Sequence, residues 1–181
     1  DLFLTLESYG HPTLSEVGVC EEFESAYGET VFQTLGKIMS CFEHYTAELT
    51  PATAFNFYWE KTVDRLASFA AQHRDFARLV QTPFISLNGH RLAGWPTISK
   101  AVEARVRKIA ARPQGRIIHG DLCFTNILYD PVSRLFKFID PRGSFGESGI
   151  YGDGRYDIAK LLHSLDGGYD FFIHDMFRLE R

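Results

Sequence analysis

The stretch His119-Gly120-Asp121-Leu122-Cys123-Phe124-Thr125-Asn126, with Asp140 fourteen positions beyond Asn126, holds the residue types that phosphoryl transfer requires. That reaction needs a carboxylate to orient an attacking hydroxyl and accept its proton. It also needs hard oxygen ligands to hold Mg²⁺ against nucleotide phosphates. Asp121, in a loop just after a strand, supplies the first; Asn126 and Asp140 supply the second. Singly, each residue has an ordinary reading: Asp140 as a turn former at a strand end, Asn126 as a turn or cap residue. Their order and spacing within one short segment give the set its meaning.

Such residues need elements to position them. Arg116-Ile117-Ile118 reads as a short strand before the loop. Asn126 to Tyr129 and Leu135 to Ile139 read as a hairpin turning at Asp130-Pro131. Antiparallel pairing returns Asp140 to the end of the hairpin where Asn126 begins it. A Gly-rich segment, Gly143 to Gly154, leads into a helix from about Asp153, with Ile158, Leu161, Leu162 and Leu165 as its buried side and Gly167-Gly168 as its stop. Upstream, three helical stretches are predicted. The first buries Val31, Leu35, Ile38, Met39, Phe42 and Tyr45. The second runs from about Ala54 to Val80, with a stripe of Trp59, Val63, Leu66, Ala70, His73, Ala77 and Val80. The third starts near Pro96-Thr97 and turns Ile98, Val102, Val106 and Ile109 inward. Lys100, Arg105, Arg107 and Lys108 on its outer side read as a solvated face.

The pattern His-x-Asp, four residues, Asn, hairpin, Asp resembles the aminoglycoside phosphotransferase and choline kinase family, which has a protein-kinase-like fold. The base-to-Asn spacing also matches the general kinase catalytic loop. The resemblance implies Asp121 as catalytic base, Asn126 and Asp140 as metal ligands, and His119 as a brace of the loop. It implies Mg²⁺ with ATP or GTP as cofactor, and matches Asp157, in Gly-Arg-Tyr-Asp-Ile-Ala-Lys-Leu-Leu, to the Asp on the following helix that tethers that loop. Leu2 to Leu6, a strand by its alternation, then looks like the last strand of an ATP-binding lobe. Ser8, Tyr9 and Gly10 become the hinge whose backbone contacts adenine, and Thr13-Leu14-Ser15 opens the descent into the helical lobe. Residues 1–16 would thus be last strand and hinge, and 17–181 the catalytic lobe. The bland alternative for the opening is an ordinary strand and turn. Cys123 reads as small filler within the loop.

Departures accompany the likeness. Asp140 is followed by Pro141-Arg142-Gly143 rather than aromatic-Gly, a variant that resembles bacterial phosphotransferase-like proteins linked to surface polysaccharide synthesis. Arg142 pairs either with phosphate or with a neighbouring carboxylate. No Gly-rich phosphate loop and no paired strand Lys are in the sequence, so the chain is expected to be a fragment, truncated at both ends and weakly active or inactive by itself.

The chain has 181 residues, 45% hydrophobic and 14% aromatic, enough for one domain or one large lobe with a real core. Its net charge of -4 gives no global attraction to nucleic acid or anionic membrane. No run of about 18 apolar residues is present. Three cysteines without a CxxC pair favour a reducing cytosol over a disulfide framework or zinc knuckle. The expected fold class is α+β: a mainly helical lobe with a small antiparallel hairpin at the active loop. The expected partners are a nucleotide and a small hydroxylated substrate (sugar, amino alcohol or aminoglycoside), with dimerisation to cover stranded apolar surface. The competing function is a kinase-like binding module without catalysis. A hydrolase using Asp121 and Asp140 as paired acids is weaker, because it leaves Asn126 without a role.

Overall fold

In the computed structural model, residues 8–20, 25–130, 132–178 and 180 are described. The strand expected over Leu2 to Leu6 lies outside them. The class is α+β, with helices dominating and four two-stranded antiparallel sheets among the described residues. Helix α1 (Leu14–Cys20) starts where the descent was expected. A capping box opens it: Glu16 N–H donates to Thr13 Oγ1 at 3.1 Å, and Thr13 N–H donates to Glu16 Oε2 at 2.8 Å. Helix α2 (Ser25–Phe42) buries Val31 and Leu35, with Ile38, Met39 and Phe42 half-buried. Tyr45 belongs to the strand-like segment after it. It is exposed, and its carbonyl accepts from Ile117 N–H at 3.1 Å.

The long second helix is not continuous. It comprises α3 (Pro51–Phe55), a π-helical turn (Asn56–Glu60), α4 (Lys61–Gln72) and α5 (Arg74–Gln81), broken at His73, whose backbone is extended (φ -128°, ψ 102°). A widened turn shifts the faces on either side of it, so no single stripe runs the whole length. Strands β1 (Phe84–Leu87) and β2 (His90–Ala93) follow as a hairpin. Asn88 and Gly89 have the positive φ values that tight hairpin turns need. Helix α6 (Trp95–Ala110) turns Trp95, Val102, Val106 and Ala110 inward, while Ile98 and Ile109 are exposed.

The site-bearing part begins with β3 (Gly115–Ile117), which pairs with β8 (Tyr151–Asp153). Strands β4 (Ile127–Asp130) and β5 (Leu135–Phe138) form the expected hairpin, with Ile127 opposite Phe138. The turn is fixed by Asp130, whose Oδ1 accepts from Val132 N–H at 2.9 Å. Between it and β8 lie the short strands β6 (Ser144–Phe145) and β7 (Glu147–Ser148). Helices α7 (Arg155–Leu165) and α8 (Tyr169–Ile173) close the described fold.

Two apolar clusters hold these elements. Leu14, Val31, Leu35, Leu122, Phe124, Ile127, Tyr129 and Leu161 form the larger; Phe57, Ile118 and Phe145 form the smaller. The segment from Ile118 to Ile127 thus leaves one cluster and enters the other, pinning the polar loop between them at both ends. Helix α7 faces that loop differently from the expectation. Its inward residues are Asp157, Leu161 and Ser164, whereas Ile158, Leu162 and Leu165 are exposed. Among the described residues no helix is long and apolar enough to cross a membrane.

Candidate active site

The loop is held by one face of α7. Asp157 Oδ2 accepts from His119 N–H and Oδ1 from Gly120 N–H, both at 2.8 Å. One turn on, Lys160 Nζ lies 2.6 Å from Asp121 Oδ1. A further turn on, Ser164 Oγ accepts from Phe124 N–H at 3.1 Å. Residues spaced by three and four share a helix face, so one helix grips successive residues of the loop in order. Burial raises the Asp157 carboxyl above its ordinary value, opposed by the two N–H donors from His119 and Gly120. Burial, the largest single influence, pulls Lys160 down, but its hydrogen bond to Asp121 and the charges around it, Asp121 first, together outweigh that and leave its ammonium above the ordinary value.

Within the loop, Asp121 N–H donates to His119 Nδ1 at 3.3 Å, which is how the buried His119 braces the turn. Its other ring nitrogen, Nε2, is buried without a hydrogen-bond partner. Asp121 Oδ1 is itself buried against Lys160, yet the side chain is 34% exposed, so the rest of the carboxylate faces outward. Asn126 Nδ2 donates to the Asp121 carbonyl at 2.8 Å, which leaves the amide oxygen free to ligate. Cys123 is buried, with its thiol 3.1 Å from Thr125 Oγ1.

Asn126 and Asp140 come together as the hairpin argument requires, since Ile139 N–H donates to the Asn126 carbonyl at 3.1 Å. Asp140 is exposed and stands at φ 54° in the left-handed region. Pro141 normally pushes the residue before it to extended backbone, so this conformation costs about 1–3 kcal/mol. Arg142 N–H then donates to the His119 carbonyl at 2.8 Å, stitching the Asp-Pro-Arg segment to the loop. Gly120 is required by that stitch: its φ is 79°, and a Cβ there would meet Arg142 Cβ at 2.9 Å. The amide oxygen of Asn126 and the carboxylate of Asp140 are hard donors that fit Mg²⁺. Among the described residues no three His, Cys, Asp or Glu side chains group as a metal site.

Ser8, Tyr9 and Gly10 have no regular secondary structure and precede α1. Tyr129 N–H donates to Pro12 O at 3.2 Å, Thr13 bridges to Leu128, and Lys137 Nζ lies 4.9 Å from the Tyr9 ring. The segment therefore lies beside the hairpin that carries Asn126 and Asp140.

Two further residues, Lys160 and Lys61, belong to the candidate site by geometry. Lys160 had a local signal, because it sits three residues after Asp157 on the same helix face. Lys61 had none: its Nζ lies 3.8 Å from the Phe57 ring centroid, and the electrostatic neighbours that act on it include Arg142, Lys160 and Asp121, all distant in sequence. Comparison with protein-family models, curated proteins and solved structures finds no match to this chain.

Proposed function

We propose that this chain is the helical catalytic lobe of a small-molecule kinase with a protein-kinase-like fold, of the aminoglycoside phosphotransferase and choline kinase type. It would move the γ-phosphoryl group of ATP or GTP to a hydroxyl of a sugar, amino alcohol or aminoglycoside. The observation that carries this reading is the grip of α7 on the loop: Asp157 on the His119 and Gly120 amides, Lys160 on Asp121. It holds one carboxylate oxygen of Asp121 and leaves the remainder facing outward, as a base that must meet an incoming hydroxyl requires.

In the step so assigned, the acceptor hydroxyl gives its proton to Asp121. Its oxygen forms a bond to the γ-phosphorus, the bond from that phosphorus to the bridging oxygen breaks, and a nucleoside diphosphate leaves. Lys160 orients the carboxylate and stabilises its charge before the proton arrives. His119 and Asp157 hold the backbone that carries it. Asn126 and Asp140 would hold Mg²⁺, which neutralises phosphate charge when bound with the nucleotide. The same reading assigns Ser8, Tyr9 and Gly10 to the nucleotide base, and it is supported by the pairing of the following residues, Pro12 and Thr13, with the β4 strand of the same hairpin.

The test is calorimetric titration with ATP or GTP, with and without Mg²⁺, on wild type beside Asp140→Ala and Asn126→Ala. Binding should require Mg²⁺ and weaken by about tenfold or more in each variant, the scale of one lost charged ligand contact. Binding that ignores Mg²⁺ and both substitutions would overturn the assignment.

A further inference from the structure

Around Asp121 the charges do not balance. Lys61, at the start of α4, and Arg142, in the Asp-Pro-Arg segment, both stand over the ring of Phe57: Lys61 Nζ at 3.8 Å from its centroid, Arg142 Cζ at 5.9 Å. Arg142 also donates from Nη1 to Tyr156 Oη at 3.0 Å, and its guanidinium lies 5.9 Å from that ring. Phe57 is buried and stacked on Phe145 at 3.9 Å, so the platform beneath both cations is rigid and apolar. Among the described residues, neither Lys61 nor Arg142 forms an ion pair with a carboxylate, while Asp121 is engaged by Lys160. Arg65, one turn along α4 from Lys61, adds to the same field.

Partly desolvated cations held close together, with the nearby Asp121 carboxylate already paired to Lys160, are costly. Here the fold brings them together from α4 and from the segment after β5 and directs them at an aromatic floor beside the proposed base. Burial, then the charges of Arg142, Arg65 and Lys160, depress Lys61 to about 8, with Asp121 opposing. Arg142 gives one N–H, from Nη1, to Tyr156 Oη and lies over the Phe57 ring with Lys61, whereas Asn126 and Asp140, the proposed holders of the nucleotide's metal, lie at the end of the β4–β5 hairpin. Donor phosphates thus already have a place that does not need Lys61.

Resting on the reading of Asp121 as base, we propose that Lys61 and Arg142 form an anion subsite for the acceptor, so that the molecule phosphorylated carries a phosphate or carboxylate group beside its reactive hydroxyl. The π-helical turn just before Lys61 supports this, because such widened turns recur where a helix must re-aim side chains at a functional site. Such a subsite favours anionic acceptors and disfavours cationic amino alcohols and aminoglycosides by like-charge repulsion, which narrows the acceptor class proposed above.

The test uses inorganic phosphate as probe, titrated near neutral pH into wild type, Lys61→Gln and Lys61→Arg, with Mg²⁺-nucleotide titrated separately into the same proteins. Thermal melts of the variants establish that they fold. Phosphate should bind wild type and Lys61→Arg comparably and bind Lys61→Gln about tenfold more weakly, while Mg²⁺-nucleotide affinity stays within about twofold in all three. Phosphate that fails to bind wild type, or binds Lys61→Gln equally well, overturns the subsite. Equal weakening of phosphate and nucleotide in Lys61→Gln also overturns it, by assigning the cations to the donor while the kinase reading stands. Phosphate binding that follows Lys61 in a protein that binds no nucleotide upholds the anion site but overturns its role as an acceptor subsite, because the kinase reading then falls.

Discussion

Asp157 does its work through two hydrogen bonds of equal length, and an amide in its place can accept only one of them. Asp157→Asn is therefore expected to lower stability by about 1–3 kcal/mol, the cost of one buried unpaired donor. A urea midpoint unchanged from wild type would show that the tether bears no weight. Lys61 gives a second prediction at this scale. Its folded pKa, about 8, lies below its ordinary 10.5, so the folded state loses this proton first. Stability contributed by this group rises as pH climbs from about 8 toward 10.5, while the positive charge facing the acceptor disappears over the same interval. The charged groups around it are Arg142, Arg65, Lys160 and Asp121; Lys160 titrates above its ordinary value and so outside this window. Sulfate, whose own charge is constant here, should bind more weakly as pH rises through about 8 in wild type and much less so in Lys61→Arg. A flat profile in wild type would refute this.

The elements that position the site differ in how plainly the sequence announces them. The β4–β5 hairpin is legible because Asn126 to Tyr129 is a short apolar run, Leu135 to Ile139 alternates, and Asp130-Pro131 marks a turn between them. The α7 face was legible only in part: Asp157 stood out by its motif, but the apolar stripe of Ile158, Leu162 and Leu165 drew the buried side to the wrong face. Periodicity counts apolar residues, and the face that grips a polar loop is itself polar. The break at His73 and the π-helical turn at Asn56–Glu60 interrupt a helix whose composition gives no warning of either, whereas the Asn88-Gly89 turn does carry a local signal. Strand β3 shows how tightly the loop depends on its scaffold. Its partner β8 carries the buried Gly152, where a Cβ would meet the Cβ and Cγ of Phe145 at 2.8 Å and collide with Ile118 Cδ1. Gly152→Ala should cost about 1–3 kcal/mol by overpacking. Because Ile118 leads directly into His119, nucleotide binding should weaken with it. Full stability in chemical denaturation would show that the small cluster yields more easily than its packing indicates.

Across the whole molecule, α7 divides two surfaces. One side carries Asp157, Lys160, Leu161 and Ser164 against the loop and core. The other carries Ile158, Leu162 and Leu165, exposed at 50%, 54% and 46%, and further along the chain Phe171, Phe172, Ile173, Met176 and Phe177 are exposed as well. The sequence was right that this stripe is apolar and wrong that the chain's own packing covers it. Exposed apolar side chains in this number are a contact surface or an aggregation liability. A second copy is the simplest occupant, since a two-fold pairing lets each stripe cover its counterpart. Light scattering over a concentration series should show wild-type mass rising above that of the monomer, and Leu162→Glu should bring it back by placing a charge in the middle of the stripe. Leu162 points away from the loop, so the same substitution should leave Asp157 and Lys160 in place and Mg²⁺-nucleotide binding unchanged. A wild-type protein that stays monomeric at every concentration would sink the pairing. Loss of nucleotide binding in a folded Leu162→Glu protein would mean instead that the two sides of α7 are coupled, with cover on the apolar side needed to hold the loop.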